Sequence, residues 1–548
     1  MRVCADGEGI RVPKGDVRPG CEPVGSVATR VVFWLAEGMH VHTIVIGAGS
    51  AGCIVAARLS EDADRSVLLV DAGPDYPTGE IPADLADGTR NSIKHHDWGF
   101  KHKPSTSFLR LPLPRGRVVG GSSAVNTCIG IRALPRDIDE WTDLGLSEWT
   151  WEHCLQAFKA IETDLAFGAE RPDIHGSDGP LPLFRHPSSS WTPWSAAFVE
   201  SARELGFADC PDTNDPTTPE GVGPHAMNQI EGRRISAAEA WLKPAVRQRD
   251  NLDIWPGTQA VRLRFSGKRV VGVELQRGGE TQQVTAEEVV LAAGAIHTPP
   301  LLLRSGIGAQ DDLDRLGIEA HTVLPGVAHR LLDHPGFAMF FRTGDGLEID
   351  PEAPLIQTVL RCSSGEGRWA HDLQLQAGSH VPIGHRTIRA VSLMAMLGKT
   401  EGHGQIRWPS VALGKKPVIQ SRFHEHPEDR RRAVIAMELI QELAQQSKLA
   451  ALGSHIWPPA RSMSTRAGID RWLPYVTDSG YHPSGTAPMG TDDDPMAVTD
   501  GRGRVRGVSG LTIADASLLP TIPTGNIHLT VLMVAHRIAG WLAEPSGS

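Results

Sequence analysis

Two histidines stand in sequence contexts suited to acid–base chemistry. His482 follows Tyr481 and precedes a Pro-Ser-Gly-Thr turn, and His528 ends a Pro-Thr-Gly-Asn-Ile-His segment just before an apolar, helix-like run. An imidazole has an unperturbed pKa of about 6.5, so near neutral pH it is mostly uncharged and can accept a proton from a hydroxyl group. The chain has 23 histidines, so the surroundings of these two, rather than their residue type, single them out.

A glycine-rich segment near the beginning of the chain is suited to binding a dinucleotide. The strand-like run 41–46 leads into a G-x-G-x-x-G pattern, a helix-like run follows, and the strand-like run 67–70 ends in an acid. The glycines permit a tight turn and a close approach of the backbone to a pyrophosphate, and an acid about 20 residues on can accept from ribose hydroxyls. The pattern alone does not separate NAD from FAD. The predicted binding residues are Gly47, Gly49, Ser50, Ala51, Gly52, Asp71 and Ala72.

Four further motifs carry a resemblance to a known family. They are residues 115–127 (RGRVVGGSSAVNT), 294–308 (GAIHTPPLLLRSGIG), 482–486 (HPSGT) and 510–517 (GLTIADAS). In this order they resemble the signatures of the glucose–methanol–choline (GMC) oxidoreductases. The tract 134–141 (LPRDIDEW) is similar to the choline, aryl-alcohol and hydroxymethylfurfural branches of that family.

The resemblance implies an FAD enzyme that oxidises an alcohol to an aldehyde or ketone by hydride transfer to flavin N5. It implies His482 as the base and His528 as its partner, although Asn526, two residues earlier, also suits the second position. Leu113 stands where some relatives attach FAD through a histidine, so we expect non-covalent FAD. The cofactor residues implied beyond the glycine-rich segment are Trp98, Arg117, Gly120, Gly121, Ser122, Asn126, Val261, Ala293, Gly294, Asp515 and Ala516.

Two rival functions stay open at this stage. Some members of the family are hydroxynitrile lyases that use a similar histidine pair, and a non-catalytic flavin-binding protein would carry the same cofactor motifs. The run of three acids at 492–494 directly precedes a proline and is interpreted as a solvated turn, so no metal site is predicted. His334, in a Leu-Asp-His-Pro tract, is interpreted as structural.

The substrate is expected to be a small-molecule alcohol, with O2 or a quinone or dye as electron acceptor. The chain has 14 Trp but only 3 Tyr, so phenolic hydroxyls for sugar recognition are scarce, whereas Tyr481 and nearby tryptophans could stack on an aryl or furan ring. This composition favours an aromatic or medium-length primary alcohol.

The residue patterns predict an α/β (α+β overall) fold with a discontinuous Rossmann-like FAD-binding domain. Strand-like sequence between 311 and 425, followed by an amphipathic run at 430–446, favours a substrate domain of antiparallel sheet flanked by helices. The FAD-binding domain is assigned to 41–135, 232–310 and 470–548, and the substrate-binding domain to 136–231 and 311–469. Residues 1–40 are expected to be a poorly ordered extension.

Composition excludes several other classes of protein. The chain has 548 residues and a formal net charge of −10 without a long basic block, which argues against nucleic-acid binding. No apolar run is long enough to span a bilayer. The seven cysteines form no C-x-x-C motif, which argues against a zinc site or a disulfide framework and favours the reducing cytoplasm.

Overall fold

The computed structural model describes residues 38–544 apart from 78, 107–108, 219, 345–346 and 384–385. The predicted N-terminal extension therefore lies almost entirely outside the described residues. The α-helices are Ser50–Leu59, Ala83–Ala86, Pro135–Asp143, Trp151–Ile161, Pro193–Glu204, Ala237–Trp241, Pro244–Arg247, Gly294–Arg304, Gln310–Leu316, Pro427–Gln445, Ser447–Leu452, Arg466–Val476 and Ile527–Ala543. Short 3-10 helices are Gly121–Ala124, Ser188–Ser190, Ala460–Met463 and Ala516–Leu518.

The first sheet has seven strands and a parallel centre. In spatial order its strands are Leu252–Trp255, Val67–Val70, His40–Ile46, Glu280–Leu291, Arg269–Arg277 and Thr258–Ser266, and Leu511–Ile513 also pairs with Glu280–Leu291. The three central strands are apolar and mostly buried on both faces where they pair, as parallel strands covered by helices require. The strands Thr258–Ser266 and Arg269–Arg277 form an antiparallel hairpin that turns at Gly267.

The second sheet also has seven strands, and all its pairs are antiparallel. In order they are Gly453–Trp457, Pro335–Thr343, Ala390–Leu397, Leu373–Gly378, Ile356–Cys362 and Gly221–Pro224, and Thr477–Ser479 pairs with Pro335–Thr343. One face packs on helices Pro193–Glu204 and Pro427–Gln445 around a core that includes Phe337, Leu393 and Met437. The predicted combination of a Rossmann-like sheet and an antiparallel sheet flanked by helices is thus present.

The remaining strands form small sheets. They are Phe100–Lys103 with Leu111–Leu113, Gln405–Arg407 and Val418–Gln420; Glu162–Asp164 with Leu181–Arg185 and Ala226–Met227; and the pairs Gln229–Ile230 with Arg233–Arg234, Ile307–Gly308 with Thr322–Val323, and Val381–Ile383 with Arg386–Ile388. One strand crosses the proposed domain division: Thr477–Ser479 belongs to the second sheet, although 470–548 is assigned to the cofactor domain. Within the described residues, no helix is both long and apolar enough to cross a membrane.

Candidate active site

A cavity of about 850 Å³ lies at the carboxyl ends of the parallel strands of the first sheet. Its lining includes Gly47, Asp71 and Ala292, which directly follow these strands, and Asp515, two residues after the strand Leu511–Ile513. Its other wall is one face of the second sheet. A cavity of this size, at the strand ends of an open α/β sheet, is where such folds bind ligands.

The glycine-rich turn at one end of this cavity is shaped for a phosphate group. Helix Ser50–Leu59 begins after Gly49 without a side-chain cap, so its first backbone N–H groups and its positive dipole end have no side-chain acceptor. A Cβ atom on Gly52 would overlap the carbonyl oxygen of Gly47, so only glycine lets this helix pack on the turn. Gly52 therefore shapes the site without lining the cavity.

The second glycine-rich segment, residues 120–121, lies directly against the first, residues 47–52. A Cβ atom on Gly121 would lie 2.7 Å from the Cα atom of Gly49, and the backbone of Gly121 has φ +54°. The two backbones thus approach more closely than any side chain permits. This arrangement gives a narrow cradle of backbone, as an extended dinucleotide requires.

Asp71 directly follows strand Val67–Val70, is half-buried, and is held by backbone donors. Its Oδ2 accepts from Ala48 N at 2.8 Å and its Oδ1 from Gly73 N at 2.7 Å. Burial raises the pKa of this carboxyl to about 6, against the lowering effect of those two hydrogen bonds. Each carboxylate oxygen retains a second lone pair that can accept from a ribose hydroxyl. These features fit the adenosine end of FAD.

Most of the predicted site residues line this one cavity. The lining includes both histidines and these cofactor candidates: Gly47, Gly49, Ser50, Ala51, Asp71, Ala72, Trp98, Gly121, Ser122, Asn126, Ala293, Gly294, Asp515 and Ala516. Four candidates are outside it: Gly52, Arg117, Gly120 and Val261. Arg117 lies over the Trp98 ring at 5.0 Å, and Val261 accepts from the Arg304 guanidinium, so both support residues that do line the cavity.

Asp515, at the cavity wall, is surrounded by hydrogen-bond donors from two elements. Its carboxylate accepts from Gly294 N, Thr298 Oγ1 and both the N and Oγ of Ser517, at 2.6 to 2.8 Å. These four hydrogen bonds use both oxygen atoms of the carboxylate. They connect helix Gly294–Arg304 to the segment that follows strand Leu511–Ile513. The structure thus gives Asp515 a role in joining two walls of the cavity.

His297 lines the cavity and was not predicted as a site residue. Its ring lies 4.0 Å from that of Trp98 and 5.3 Å from that of Phe100, measured between ring centroids. Burial lowers the pKa of His297 to about 3, and the charges of Arg304 and Arg117 act in the same direction. This imidazole is therefore uncharged. The only feature of the sequence that could have indicated His297 is its position as a polar residue within the GAIHTPP motif.

His482 is held at the cavity wall by a strained turn. Tyr481, directly before it, has φ +65°, a left-handed conformation that is rare for a bulky residue. Asp333 and Ser479 hold this turn through three hydrogen bonds. Asp333 Oδ1 accepts from His482 N at 2.9 Å, and Asp333 Oδ2 accepts from Ser479 Oγ. Ser479 Oγ in turn accepts from Tyr481 N. The turn thereby fixes where the His482 ring enters the cavity wall.

The contacts of His334 decide the tautomer of His482. His334 Nε2 lies 3.0 Å from the carbonyl oxygen of Gly398 and 2.9 Å from that of Pro523, and both can only accept, so this nitrogen carries the proton. Burial lowers the pKa of His334 to about 4, so the ring is neutral and its Nδ1 is an acceptor. That Nδ1 lies 2.8 Å from Nδ1 of His482. His482 therefore donates from Nδ1, and its Nε2 is unprotonated and acts as an acceptor.

Asn526, rather than His528, contacts the unprotonated nitrogen of His482. Asn526 Nδ2 lies 3.1 Å from His482 Nε2, and Gln374 Nε2 donates to Asn526 Oδ1 at 3.3 Å, which orients the amide. His528 lines the same cavity within the first turn of helix Ile527–Ala543, and its Nε2 is buried without a hydrogen-bond partner among the described residues. The non-helical backbone of Asn526, just before the helix, brings its side chain to His482.

His482 is kept uncharged by its surroundings. Burial lowers its pKa well below 6.5, and the neighbouring His334 and the charge of Arg115 lower it further. The site thus presents a neutral imidazole with an unprotonated Nε2 beside an amide donor, which can accept a proton from a bound hydroxyl group. Sequence reasoning missed the part that His334 plays in this state, because its Asp-His-Pro tract was interpreted as purely structural.

Comparisons with known proteins relate this chain to one family. Residues 41–336 and 400–535 match the N- and C-terminal models described as GMC oxidoreductase. The chain is 32% identical over 531 residues to a 5-(hydroxymethyl)furfural oxidase from Methylovorus sp. (strain MP688), covering 90% of this chain and 97% of that protein. It is 34% identical over 533 residues to an oxygen-dependent choline dehydrogenase from Stenotrophomonas maltophilia (strain K279a), covering 90% and 93%.

A solved structure shows the same fold. The crystal structure of pyridoxine 4-oxidase from Mesorbium loti superposes with a TM-score of 0.84 at 30% identity, covering 91% of this chain and 99% of that one. The fold and the site define an FAD-dependent oxidoreductase that acts on CH–OH groups. The chain belongs to the GMC oxidoreductase family.

Proposed function

We propose that this protein oxidises a primary alcohol with an aromatic or apolar body, with His482 as the base. The observation that carries the proposal is the unprotonated Nε2 of His482 at the wall of the cavity, fixed by the hydrogen bond from its Nδ1 to His334. FAD, when bound, supplies the hydride acceptor. His482 Nε2 accepts the hydroxyl proton, which makes the carbinol carbon a better hydride donor.

Asn526 and His528 are proposed to position the hydroxyl oxygen. Asn526 can donate from Nδ2 to that oxygen, since this amide hydrogen-bonds at the same nitrogen that the substrate hydroxyl must reach. His528 has a buried Nε2 without a partner among the described residues, so it can serve as the second contact that its motif implies. A buried polar atom gains free energy from such a contact.

The apolar character of the substrate is supported by the entrance and the far wall of the cavity. Tyr481, Tyr475 and Trp457 line the cavity and have 37%, 44% and 36% of their surface exposed. Phe340 lies next to Trp457, with ring centroids 5.8 Å apart. Flat aromatic surfaces of this kind stack on an aryl or furan ring.

We further propose that FAD is bound non-covalently. Leu113, at the position where some relatives carry the attaching histidine, is fully buried and has no nucleophilic atom. Acid precipitation is expected to release all of the flavin into the supernatant. A yellow pellet would contradict this proposal.

The electron acceptor is proposed to be O2 or a quinone, and the compartment a reducing one such as the cytoplasm. The compartment is supported by the five described cysteines, Cys53, Cys128, Cys154, Cys210 and Cys362, all of which are buried free thiols.

The division into an FAD-binding and a substrate-binding domain is likewise a proposal, supported by the two separate seven-stranded sheets.

The test is anaerobic mixing of the flavin-loaded protein with a panel of benzylic, furanic, aliphatic and amino alcohols. Bleaching of the flavin absorbance by benzylic or furanic alcohols is the expected result, and reoxidation by air or by a quinone dye then identifies the acceptor. Absence of bleaching with every alcohol would refute the proposal. Release of cyanide from a cyanohydrin without bleaching would indicate a lyase instead.

A further inference from the structure

One face of the second sheet forms the cavity wall opposite the first sheet. Side chains alternate between the two faces of a strand, and the strand register brings Gln374 level with Met396, and Gln376 level with Met394. All four of these residues line the cavity, whereas the alternate residue Leu375 belongs to the core on the helix side. The wall therefore has a polar column of two glutamines beside an apolar column of two methionines.

The glutamine column begins at the reaction centre. Gln374 Nε2 donates to Asn526 Oδ1 at 3.3 Å, and Asn526 contacts Nε2 of His482. Gln376 lies two residues further along the same strand, and a strand rises about 3.4 Å per residue, so the two side chains start about 7 Å apart. Gln376 thus lies on the same wall, next in the glutamine column after the residue that contacts Asn526.

The orientation of the Gln376 amide is set from behind by His225. His225 Nε2 lies 3.1 Å from Gln376 Oε1, and His225 is fully buried. An amide oxygen can only accept, so His225 donates and the oxygen of Gln376 points away from the cavity. The amide nitrogen of Gln376, with two N–H groups, is then the atom offered to a ligand.

We propose that Gln376 is a specificity-determining residue that donates a hydrogen bond to an oxygen atom on the far end of the substrate. The proposal rests on the proposed alcohol oxidation at His482. The favoured substrates are flat primary alcohols that carry an acceptor oxygen, such as that of a formyl group, at the end of the ring opposite the carbinol group. Their ring lies along Met394 and Met396, whose flexible thioethers adapt to an apolar surface.

The test compares two alcohols of nearly equal shape, 4-(hydroxymethyl)benzaldehyde and 4-vinylbenzyl alcohol, which differ in a terminal oxygen against a terminal CH2. The second-order rate constant of anaerobic flavin reduction is measured for both, in the wild type and in Gln376→Glu. Glutamate keeps the acceptor for His225 and replaces the cavity-facing donor by an acceptor. We expect the aldehyde-to-vinyl ratio to fall about tenfold, the effect of one hydrogen bond.

Comparing ratios removes the intrinsic electronic effect of the formyl group, because that effect is equal in wild type and variant. Gln376→Leu is the second variant and is expected to lower the ratio in the same direction. Gln283→Leu, an exposed residue of the first sheet, is the matched control and is expected to leave the ratio unchanged. Flavin content of each preparation reports whether it is folded.

Two failures are distinguishable. If both alcohols reduce the wild-type flavin and the ratio stays within about twofold in both Gln376 variants, the role of Gln376 is refuted and the proposed function stands. If neither these nor other alcohols reduce the wild-type flavin, the proposed function is refuted and the role of Gln376 falls with it.

Discussion

Two clusters inside this protein are built around a histidine, and their surroundings are opposite. In the cavity cluster, defined here as His334, His482 and Asn526, the His482 ring contacts another imidazole and an amide. In the ionic cluster, the fully buried His175 lies between carboxylates: its Nδ1 is 3.1 Å from Glu162 Oε1, and its Nε2 is 2.7 Å from an oxygen of Asp212.

The ionic cluster is completed by one more acid and two arginines. Arg132 pairs with Glu162, and Arg185 pairs with both Asp164 and Asp212. Glu162, Asp164 and His175 are close enough together to hold a metal ion. Their oxygen atoms are instead engaged by guanidinium groups, and with His175 protonated the three acids balance three cations. The arrangement is that of a compensated ion network rather than of a metal site.

Set side by side, the clusters show that the neighbours, and not burial alone, decide the charge of an inward-facing histidine. Burial disfavours the imidazolium in both clusters. At His175 the hydrogen bonds to Asp212 and Glu162 outweigh that penalty and raise the pKa to about 9. At His482 no such carboxylate hydrogen bond to the ring offsets burial among the described residues, and the pKa falls well below 6.5. One histidine holds structure together as a cation, and the other is available as a base.

The largest expected effect comes from removing the base. In His482→Ala, the rate of flavin reduction by the best alcohol should fall about 10²- to 10⁴-fold, because no group accepts the hydroxyl proton. The rate is measured by anaerobic stopped flow at saturating alcohol, and flavin absorbance confirms that the variant is loaded. A wild-type rate in a loaded variant would remove His482 from the mechanism.

Removing the histidine of the ionic cluster should cost stability instead of rate. His175→Ala removes one of the three buried cations, so Glu162, Asp164 and Asp212 keep only two arginines and one buried negative charge is left uncompensated, which costs about 3–5 kcal/mol. A lower thermal midpoint at fixed scan rate checks this, with the exposed His95→Ala as matched control. The reduction rate per bound flavin should stay at the wild-type value. An unchanged midpoint would mean that the network contributes nothing to stability.

A smaller effect is expected when the acceptor that fixes the tautomer of His482 is removed. His334→Ala removes the acceptor for His482 Nδ1–H, so both tautomers become accessible and the reduction rate should fall about tenfold. The truncated side chain also lets solvent reach His482, which weakens the burial that lowers its pKa, so the acid limb of the pH–rate profile should move to higher pH. His334→Gln, which offers both an acceptor and a donor, should restore part of the rate. An unmoved acid limb in His334→Ala would argue for a merely structural role.

The smallest effects are two pH dependences of opposite sign. The His175 pKa is raised, so its contribution to stability is complete below pH 6.5 and is lost as pH rises through about 9. The difference in thermal midpoint between wild type and His175→Ala should narrow over that range.

The His482 pKa is lowered, so wild-type flavin reduction should be constant through neutral pH and decline only on acidification below 6.5. An acid limb centred above 6.5 would contradict the latter expectation.

Features that depend on neighbouring residues in the chain were predictable. The helix Ser50–Leu59 and the acid after strand Val67–Val70 follow from local spacing, and both were predicted with their role in a dinucleotide site. His482 was found because its turn residues form a recognisable motif. Local patterns also predicted the amphipathic helix at 430–446, which the structure has as Pro427–Gln445.

Contacts between distant parts of the chain were not predictable in the same way. His334 and His482 are 148 residues apart, and Gln374 and Asn526 are 152 residues apart, so no spacing rule connects them. The choice between Asn526 and His528 depended on where helix Ile527–Ala543 begins. If this helix began two residues away, a different side chain would contact His482.

The class of the protein can be recognised from the sequence alone, because the glycine-rich turn, the acid after the second strand and the histidine turn are each encoded in short contiguous segments. The chemical state of the site follows only from the folded arrangement. Which nitrogen of His482 carries the proton depends on the carbonyl oxygens of Gly398 and Pro523, acting through His334. Hydrogen bonding and burial act through space, so a tautomer and a pKa are fixed only when the fold brings these groups together.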